Sequence, residues 1–301
     1  MHASARQELL TIRDLIRYAV SRMTAGRVVF GHGSDNAYDE AVYLVLHALH
    51  LPPDTLDPFM DARVLREECE RVLELVERRV KERLPAAYLT NEAWLQGHRF
   101  FIDERVIVPR SPISELLGVG LSPWLGDDSN VTRALDMCTG SGCLAILTAL
   151  TYPDARVDAV DISADALDVA RRNVDDYGLG DRLSLHKADL FDGLPAAQYD
   201  LIVCNPPYVN STSMAALPNE YRHEPQLALA GGDDGMDLVR LILRGCAQRL
   251  QDDGLLVLEI GHERLNFEIA FPDLEPIWLE TEGTTDQIMA LTRDQLLAAT
   301  L

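Results

Sequence analysis

The stretch Asn205–Tyr208, with the sequence Asn-Pro-Pro-Tyr, contains the residue types expected of a site that binds a planar amine or amide. It follows the apolar run Tyr199–Cys204, which predicts a buried strand, so the motif lies where a strand ends. The two prolines lack a backbone N–H and leave carbonyl oxygens free, while Asn205 adds a side-chain acceptor and Tyr208 a flat ring. Such a pattern fits a donor with two coplanar N–H groups. A rigid turn that only closes the strand is the structural alternative, and this motif alone does not exclude it.

A second candidate site is the glycine-containing segment Leu135–Cys143, which ends the first predicted strand of the C-terminal half. Its glycines would let the backbone turn tightly and approach a ligand, beside the positive N-terminus of the helix that follows. The next predicted strand ends at Asp161, where an acid can hold the ribose hydroxyls of a dinucleotide or an adenosyl cofactor. The third strand leads to Asp189–Phe191, which suits an adenine edge and face. The glycine spacing also fits a dinucleotide fingerprint, and either acid could instead be a helix cap or a loop residue.

An α/β alternation from about residue 130 onward must position both sites. Strands that alternate with helices predict a mostly parallel sheet with helices on both faces. The last two strands, with little between them except Gly283, predict an antiparallel hairpin at the end of the sheet. The predicted strands are 132–137, 156–161, 183–187, 199–204, 254–260, 276–280 and 287–292, and the predicted helices lie near 142–151, 164–177 and 236–250.

The N-terminal third predicts a small helical domain without a glycine-rich loop or a catalytic cluster. Apolar stripes indicate helices over 7–25, 38–50 and 61–83, with Asp35 or Asn36 as a cap of the second. Further on, Phe101-Ile102 and Val106–Val108 flank Asp103–Arg105, which predicts a β-hairpin between domains. The predicted domains are residues 1–85, a hairpin linker over 86–112, and 113–301.

Composition and net charge limit the kinds of molecule that the protein is expected to bind. The chain has 301 residues, of which 47% are hydrophobic, so a core is expected, and 27 basic against 48 acidic residues give a net charge of −21. Such a surface repels phosphates and favours a basic partner, so direct nucleic-acid binding is not expected. The five cysteines form no CxxC pair and have no histidine cluster beside them, so no metal site is predicted. The absence of an apolar signal core and of a spanning run favours a cytoplasmic protein without a membrane partner.

Taken together, the glycine loop, the acid after the second strand and the Asn-Pro-Pro-Tyr motif resemble class I methyltransferases that use S-adenosylmethionine. Glutamine-amide and adenine-amine methyltransferases share this form of the motif. The closer resemblance covers almost the whole chain and is to the HemK-like protein-(glutamine-N5) methyltransferases, in particular the PrmB type, which modifies ribosomal protein L-three of the large subunit. The stretches that carry it are Gly31–Asn36 with Asp39–Ala41, Tyr88–Asn91, Asp103–Val106, Val108–Ile113, Asp136–Cys143 and Leu217–Pro225.

Two departures within these stretches favour the ribosomal-protein branch. The related release-factor enzymes usually have glycine where this chain has Cys138, and Pro-Arg-Pro where it has Pro109–Ser111. The resemblance implies a Rossmann-like, mostly parallel α/β sheet with an antiparallel last strand, preceded by a helical substrate-recognition domain and a hairpin linker. It also implies methyl transfer from S-adenosylmethionine, with S-adenosylhomocysteine as product, to a glutamine side-chain nitrogen of free or nascent L-three.

The resemblance further implies a role for individual residues. Asn205, Pro206 and Tyr208 would be catalytic, with the Asn205 side-chain oxygen and the Pro206 carbonyl accepting both N–H bonds of the substrate amide. The substrate would contact Asn205, Pro206, Pro207, Tyr208 and Arg110. The cofactor would contact Asp136, Cys138, Thr139, Gly140, Ser141, Gly142, Asp161, Ile162, Asp189, Leu190 and Asn205.

The sequence leaves four other functions open. Glutamine methylation of peptide chain release factors fits the wider family, and adenine amino-methylation fits the four-residue motif, although the charge of −21 opposes nucleic-acid binding. A nicotinamide-dependent oxidoreductase would explain the glycine loop and Asp161, but it would not explain the motif Asn205–Tyr208. A non-catalytic binding module would have a vestigial pocket.

Overall fold

A computed structural model describes residues 8–125 and 131–299, which fall into two units. The first unit contains the described residues up to Ala93 together with the short segment Pro218–His223. The second contains the remaining described residues. The chain therefore leaves the second unit after Leu217, contributes six residues to the first, and returns at Glu224.

The first unit is helical, as its apolar stripes predicted. Its helices are α1 (Ile12–Ala25), α2 (Ala37–Ala48), α3 (Leu56–Phe59), α4 (Arg66–Lys81) and α5 (Ala86–Thr90). The first predicted helix starts later than expected because Thr11 and Asp14 form a capping box, in which each side chain accepts from the other residue's backbone N–H. Of the two caps predicted for the second helix, Asn36 is the one that accepts from the first turn.

A buried ion-pair network lies inside this helical unit. The side chains of Arg79 on α4 and Glu40 on α2 are both 0% exposed, and Arg79 Nε donates to Glu40 Oε1 at 2.6 Å. Glu220, from the segment Pro218–His223, lies 3.7 Å from Arg79 Nη1 and accepts from Arg83 Nη1 at 3.2 Å and from the Val29 N–H at 3.0 Å. Two carboxylates and two guanidinium groups thus neutralise one another, which a buried charge requires.

The first β-hairpin lies earlier in the chain than the sequence predicted. Its strands are β1 (Glu92–Leu95) and β2 (His98–Phe101), joined by Gln96 and Gly97. Both linking residues have positive φ, 51° and 73°, as in the two-residue turns that match the twist of paired strands. The predicted turn, Asp103–Arg105, is instead a local turn in which the Asp103 side chain accepts from the Arg105 N–H and guanidinium.

The strands of the second unit are β3 (Arg133–Met137), β4 (Arg156–Asp161), β5 (Leu183–Lys187), β6 (Tyr199–Cys204), β7 (Leu250–Glu259), β8 (Ile277–Leu279) and β9 (Ile288–Thr292). They form a seven-stranded sheet in the order β5-β4-β3-β6-β7-β9-β8. The strands β3 to β7 are parallel, and β9 and β8 are antiparallel, so the predicted hairpin at the end of the sheet is confirmed. Successive residues of β3 and β6 are buried, which means that both faces of these strands are covered.

The helices of this unit include all three that the sequence predicted. They are α6 (Ile113–Val119), α7 (Ser122–Leu125), α8 (Cys143–Thr151), α9 (Ala164–Asp176), α10 (Ser211–Ala216), α11 (Asp237–Arg249), α12 (Arg264–Ala270) and α13 (Arg293–Ala298). Short 3-10 helices cover Asn219–His223 and Gln226–Ala228. Among the described residues, no helix is both long enough and apolar enough to span a membrane.

We expect Arg79→Met to lower the free energy of unfolding by about 3–5 kcal/mol, because it leaves buried Glu40 without its counter-ion. Arg66→Met on the same helix is the matched control, since Arg66 is 81% exposed in its pair with Glu70 and should contribute no more than about 1 kcal/mol. Urea unfolding of both variants measures the difference. Equal losses in the two variants would contradict a stabilising role for the network.

Candidate active site

The predicted site residues meet at the point where the strand order reverses. From β3 the chain adds β4 and β5 on one side of the sheet, and then β6 and β7 on the other. Met137 of β3 pairs with Cys204 of β6, so the next residues, Cys138 and Asn205, leave the sheet side by side at its carboxyl edge. A crevice at such a reversal is the usual ligand site of an open α/β sheet.

The loop after β3 has an unusual backbone. Cys138, Gly140 and Gly142 have positive φ values of 61°, 55° and 81°. A Cβ added to Gly142 would lie 3.2 Å from the Cβ of Ala170 on α9, whereas one added to Gly140 would meet nothing within 4 Å. Gly142 therefore allows close packing of a helix, and Gly140 leaves its backbone open to a ligand. Cys138 is a non-glycine residue in a conformation that favours glycine, and such strain is common at functional sites.

Asp161, at the end of β4, is bonded to this loop. Its Oδ2 accepts from the Gly140 N–H at 2.9 Å and its Oδ1 from the Ser163 N–H at 2.9 Å. Burial raises the pKa of its carboxyl, although these N–H groups oppose the shift. An ionised carboxylate has about four acceptor positions, so two contacts leave capacity for ligand hydroxyls.

A cleft connects the loop, Asp161 and Asn205. The space between its walls, counted out to the open mouth, is about 840 Å³. Eight predicted site residues line it, namely Cys138, Gly140, Asp161, Ile162, Asp189, Leu190, Asn205 and Pro207. Asp136, Thr139, Ser141 and Gly142 are buried and do not line it, so they support the loop from within.

The motif Asn205–Tyr208 divides into exposed and packed members. Within the described residues, the Asn205 side chain makes no hydrogen bond, and it faces the cleft as Pro207 does. Pro206 is buried and Tyr208 is half-buried, and neither lines the cleft. The Tyr208 hydroxyl donates to Glu259 Oε1 at 2.9 Å, and burial raises the pKa of the Tyr208 phenol well above its ordinary value. Asn205 is therefore the member whose side-chain polar atoms are available to a ligand.

Arg110 forms a two-point ion pair with Glu224. The Nη1–Oε1 and Nη2–Oε2 distances are 2.6 Å and 2.9 Å, and Glu224 also accepts from the Val108 N–H at 2.9 Å. Arg110 is not among the residues that line the cleft. In this structure its guanidinium fixes the segment around Val108 to the segment around Glu224.

Comparison with known proteins identifies the family. The "Ribosomal protein uL3 glutamine methyltransferase" of Bordetella pertussis is 71% identical over 98% of this chain and 99% of its own length. The chain belongs to the family of ribosomal protein uL3 glutamine methyltransferases. Relatives of the same name from Burkholderia pseudomallei and Neisseria gonorrhoeae are 58% and 56% identical, over 96% and 99% of this chain and equal shares of their own lengths.

A domain family and a solved structure agree on the fold. The family "Methyltransferase small domain" matches residues 124–219 of this methyltransferase. The hMettl16 catalytic domain, solved with an RNA hairpin, covers 75% of this chain and 81% of its own, with a TM-score of 0.50 and 16% identity. The predicted class I methyltransferase fold is confirmed, and at this identity the structural likeness extends to the fold alone.

Sequence reasoning missed several residues of the cleft in this methyltransferase. Arg105, Val106 and Ile107 come from the region predicted as a hairpin, and Pro225, Leu227 and Ala228 come from the segment after Glu224. Leu238, near the start of α11, also lines the cleft. Both segments adjoin or contain stretches that carried the family resemblance, which was the one available signal, because nothing in their local pattern indicates a pocket.

Asp136 lies fully inside the protein, beneath the loop. Its Oδ2 accepts from the Thr139 hydroxyl at 2.5 Å and from the Ala145 N–H at 2.9 Å, while its buried Oδ1 has no partner among the described residues. Burial raises the pKa of Asp136 to about 7, although the two hydrogen bonds oppose this shift. The folded protein therefore retains a proton on Asp136 at a pH where the unfolded chain releases it.

This protonation predicts a pH-dependent stability. With a raised folded pKa, the contribution of Asp136 is complete below about pH 4 and is lost as the pH rises toward about 7. Relative to Asp136→Asn, which carries no titrating proton, the wild type should lose up to about 4 kcal/mol over this interval. Chemical denaturation of both proteins from pH 4 to 8 measures the difference. A difference that does not vary with pH would show that Asp136 has an ordinary pKa.

Proposed function

We propose that this protein transfers a methyl group from S-adenosylmethionine to the side-chain amide nitrogen of a glutamine in ribosomal protein uL3, the L-three protein of the large subunit. The observation that carries the proposal is the Asn205 amide, which has no partner within the described residues and lies beside the glycine loop at the strand reversal. The family membership supplies the substrate, since the relatives over nearly the full length carry the name of that activity.

The residues of the cleft fit S-adenosylmethionine. Gly140 offers an open backbone, Asp161 has spare acceptor positions for ribose hydroxyls, and Ile162 and Leu190 supply apolar surface for a base. Leu190 has a φ of 52°, a second non-glycine residue in the left-handed region within this cleft. Asp136, Thr139, Ser141 and Gly142 would hold the loop in shape from behind, and Asp189 would contact the adenine edge. When bound, the cofactor supplies a methyl group on a sulfonium sulfur, which is already a reactive electrophile.

The main task of the protein residues is to make a poor nucleophile attack. A carboxamide nitrogen shares its lone pair with the carbonyl group. The Asn205 side-chain oxygen and the Pro206 carbonyl would accept its two N–H bonds, which raises electron density on the nitrogen and orients it. Such orientation can be worth several kcal/mol. Tyr208 would shape the surface against which the amide plane packs.

No strong base is required to remove the extra proton from the methylated substrate nitrogen. The substrate nitrogen becomes acidic once it carries the new methyl group, so it can release its extra proton to water or to a nearby acceptor. None of the described residues that line the cleft is a histidine or a lysine. The acceptor groups of Asn205 and Pro206 are suited to hold the neutral product amide in place while the proton leaves.

The net charge favours the free ribosomal protein over the assembled subunit. A chain of net charge −21 is repelled by ribosomal RNA and attracted to a basic protein, and this attraction weakens as salt rises. The same charge opposes adenine methylation in nucleic acid. The helical unit, which the sequence leaves without a catalytic cluster, would recognise the substrate. Modification of a newly made ribosomal protein would take place in the cytoplasm.

A labelling experiment tests the function directly. Isolated uL3, assembled large subunits, a peptide release factor and ribosomal RNA are each incubated with methyl-labelled S-adenosylmethionine, at low and at moderate salt. Mass spectrometry of the labelled protein should find one methyl group on a glutamine of free uL3, with a slower reaction at higher salt. Labelling of the release factor or of the RNA in preference to uL3 would overturn the proposal.

For Asn205→Ala we expect kcat on uL3 to fall on the order of 100-fold or more, since one preorganised contact to the reacting group is removed. Asn210→Ala is the matched control. Asn210 lies five residues further on, caps α10 and donates to Glu263, so its loss should affect local stability more than turnover. Turnover of Asn205→Ala close to that of the control, in a folded protein, would contradict the mechanism.

For Asp161→Ala we expect the affinity for S-adenosylmethionine to fall about tenfold or more, because a charge-assisted contact is worth roughly 1.5–3 kcal/mol. Asp189→Ala removes an exposed acid of the same cleft and should cost less. Isothermal calorimetry measures both. An unchanged affinity in Asp161→Ala would mean that other groups hold the ribose.

A further inference from the structure

Glu259, the last residue of β7, is a buried carboxylate that contacts the Asn-Pro-Pro-Tyr motif. It is 4% exposed, and its two oxygens accept from two hydroxyl groups, Ser111 Oγ at 2.5 Å and Tyr208 Oη at 2.9 Å. No lysine or arginine of the described residues forms an ion pair with it, and Arg110 is paired with Glu224 instead. The group that holds Tyr208 is thus a buried carboxyl bonded by two hydroxyl groups rather than by a direct ion pair.

This arrangement is unfavourable for the stability of the fold. Removing a carboxylate from water is costly, and two neutral hydroxyl donors offset only part of that cost. Burial accordingly raises the pKa of the Glu259 carboxyl, against the effect of both hydrogen bonds and of the Arg110 charge. Apolar residues in place of Glu259 and of its two hydroxyl donors would avoid this cost, so the carboxylate needs an explanation other than stability.

Tyr208 itself is confined by three glycines. A Cβ added to Gly261 would lie 2.4 Å from the Tyr208 ring. One added to Gly231 would lie 2.7 Å from the Tyr208 backbone, and one added to Gly235 would lie 2.3 Å from the Tyr208 carbonyl oxygen. The chain after it is also fixed, because Val209 donates to the Leu229 carbonyl at 2.9 Å. Within this narrow slot, the phenol hydroxyl is bonded to Glu259.

We propose that Glu259 is a positioning residue for the methyl transfer. Through Tyr208 it holds the turn Asn205–Tyr208, so that the Asn205 side-chain oxygen and the Pro206 carbonyl are presented to the same substrate amide. This inference rests on the proposed function, because the amide is the group that the two acceptors address. Ser111 extends the support, since its hydroxyl bonds the second oxygen of Glu259.

A purely structural role of Glu259 predicts the opposite result. If Glu259 only filled the core, its replacement would change stability and leave turnover intact. The chain offers a matched pair for this comparison, because the buried Tyr199 hydroxyl donates to Asp158 Oδ2 at 3.0 Å, also from a tyrosine to a carboxylate. That pair lies at the start of β6, at the opposite end of the strand from Asn205.

The test compares Glu259→Leu, Glu259→Gln, Tyr208→Phe and the double variant Glu259→Leu/Tyr208→Phe with Tyr199→Phe. We expect Glu259→Leu and Tyr208→Phe each to lower kcat on uL3 roughly 10- to 100-fold, as small misplacements of reacting groups do. The KM for S-adenosylmethionine should change little. The double variant should be no slower than the slower single variant, because both changes break the same contact. Glu259→Gln, which keeps an acceptor for Tyr208, should recover part of the rate, and Tyr199→Phe should keep the wild-type kcat.

A second measurement does not depend on the substrate. Hydrogen–deuterium exchange around residues 205–212 should become faster in Glu259→Leu than in the wild type, and should stay unchanged in Tyr199→Phe, even where the Tm of Glu259→Leu is equal or higher. Unchanged exchange in Glu259→Leu, or a kcat within twofold of wild type, overturns the positioning role. Failure of the wild type to methylate uL3 would instead count against the proposed function, and the exchange data alone would then decide the role of Glu259.

Discussion

The pairing of β3 with β6 is the constraint on which the candidate site depends. With Met137 opposite Cys204, the loop that starts at Cys138 and the motif that starts at Asn205 leave the sheet together. A slip of one residue would turn every side chain of one strand to the other face of the sheet. Because both strands are buried on both faces, the burial of their apolar side chains holds the register. Asp161 on the neighbouring strand then fixes the loop by its bond to Gly140.

Features that lower the stability of the fold are concentrated around the carboxyl edge of the sheet. Cys138 and Leu190 adopt left-handed backbone conformations, which cost roughly 1–2 kcal/mol for a non-glycine residue. Asp136 and Glu259 are buried carboxyls whose pKa values are raised by burial. The apolar core around the central strands offsets these costs, and the same core keeps the strained groups in one arrangement. A site that must present a backbone and an amide at fixed positions gains from such rigidity.

The sequence predicted the sheet well because its strands are short apolar runs followed by characteristic residues. Cys138, Asp161 and Asn205 were found for the same reason, since each lies directly after such a run. The hairpin was misplaced because Gln96-Gly97 is a weaker turn signal than Asp103–Arg105, and only the observed positive φ values reveal it. The bond between Glu259 and Tyr208 joins residues 51 positions apart, and local patterns carry no information about such a contact.

The chain between Leu217 and Glu224 is fixed by specific charge pairs. Its middle residue, Glu220, is 2% exposed and belongs to the charge network of the helical unit, whereas Glu224 binds Arg110 in the other unit. A buried ion pair contributes little net stability compared with apolar packing, but it is strongly selective for one partner, since a mispaired charge is costly. Glu220 in the middle of this segment and Glu224 just after it are therefore each held by charge pairing rather than by apolar packing alone. Apolar contacts would tolerate a shift along the chain, whereas Glu220 and Glu224 each fit one specific site.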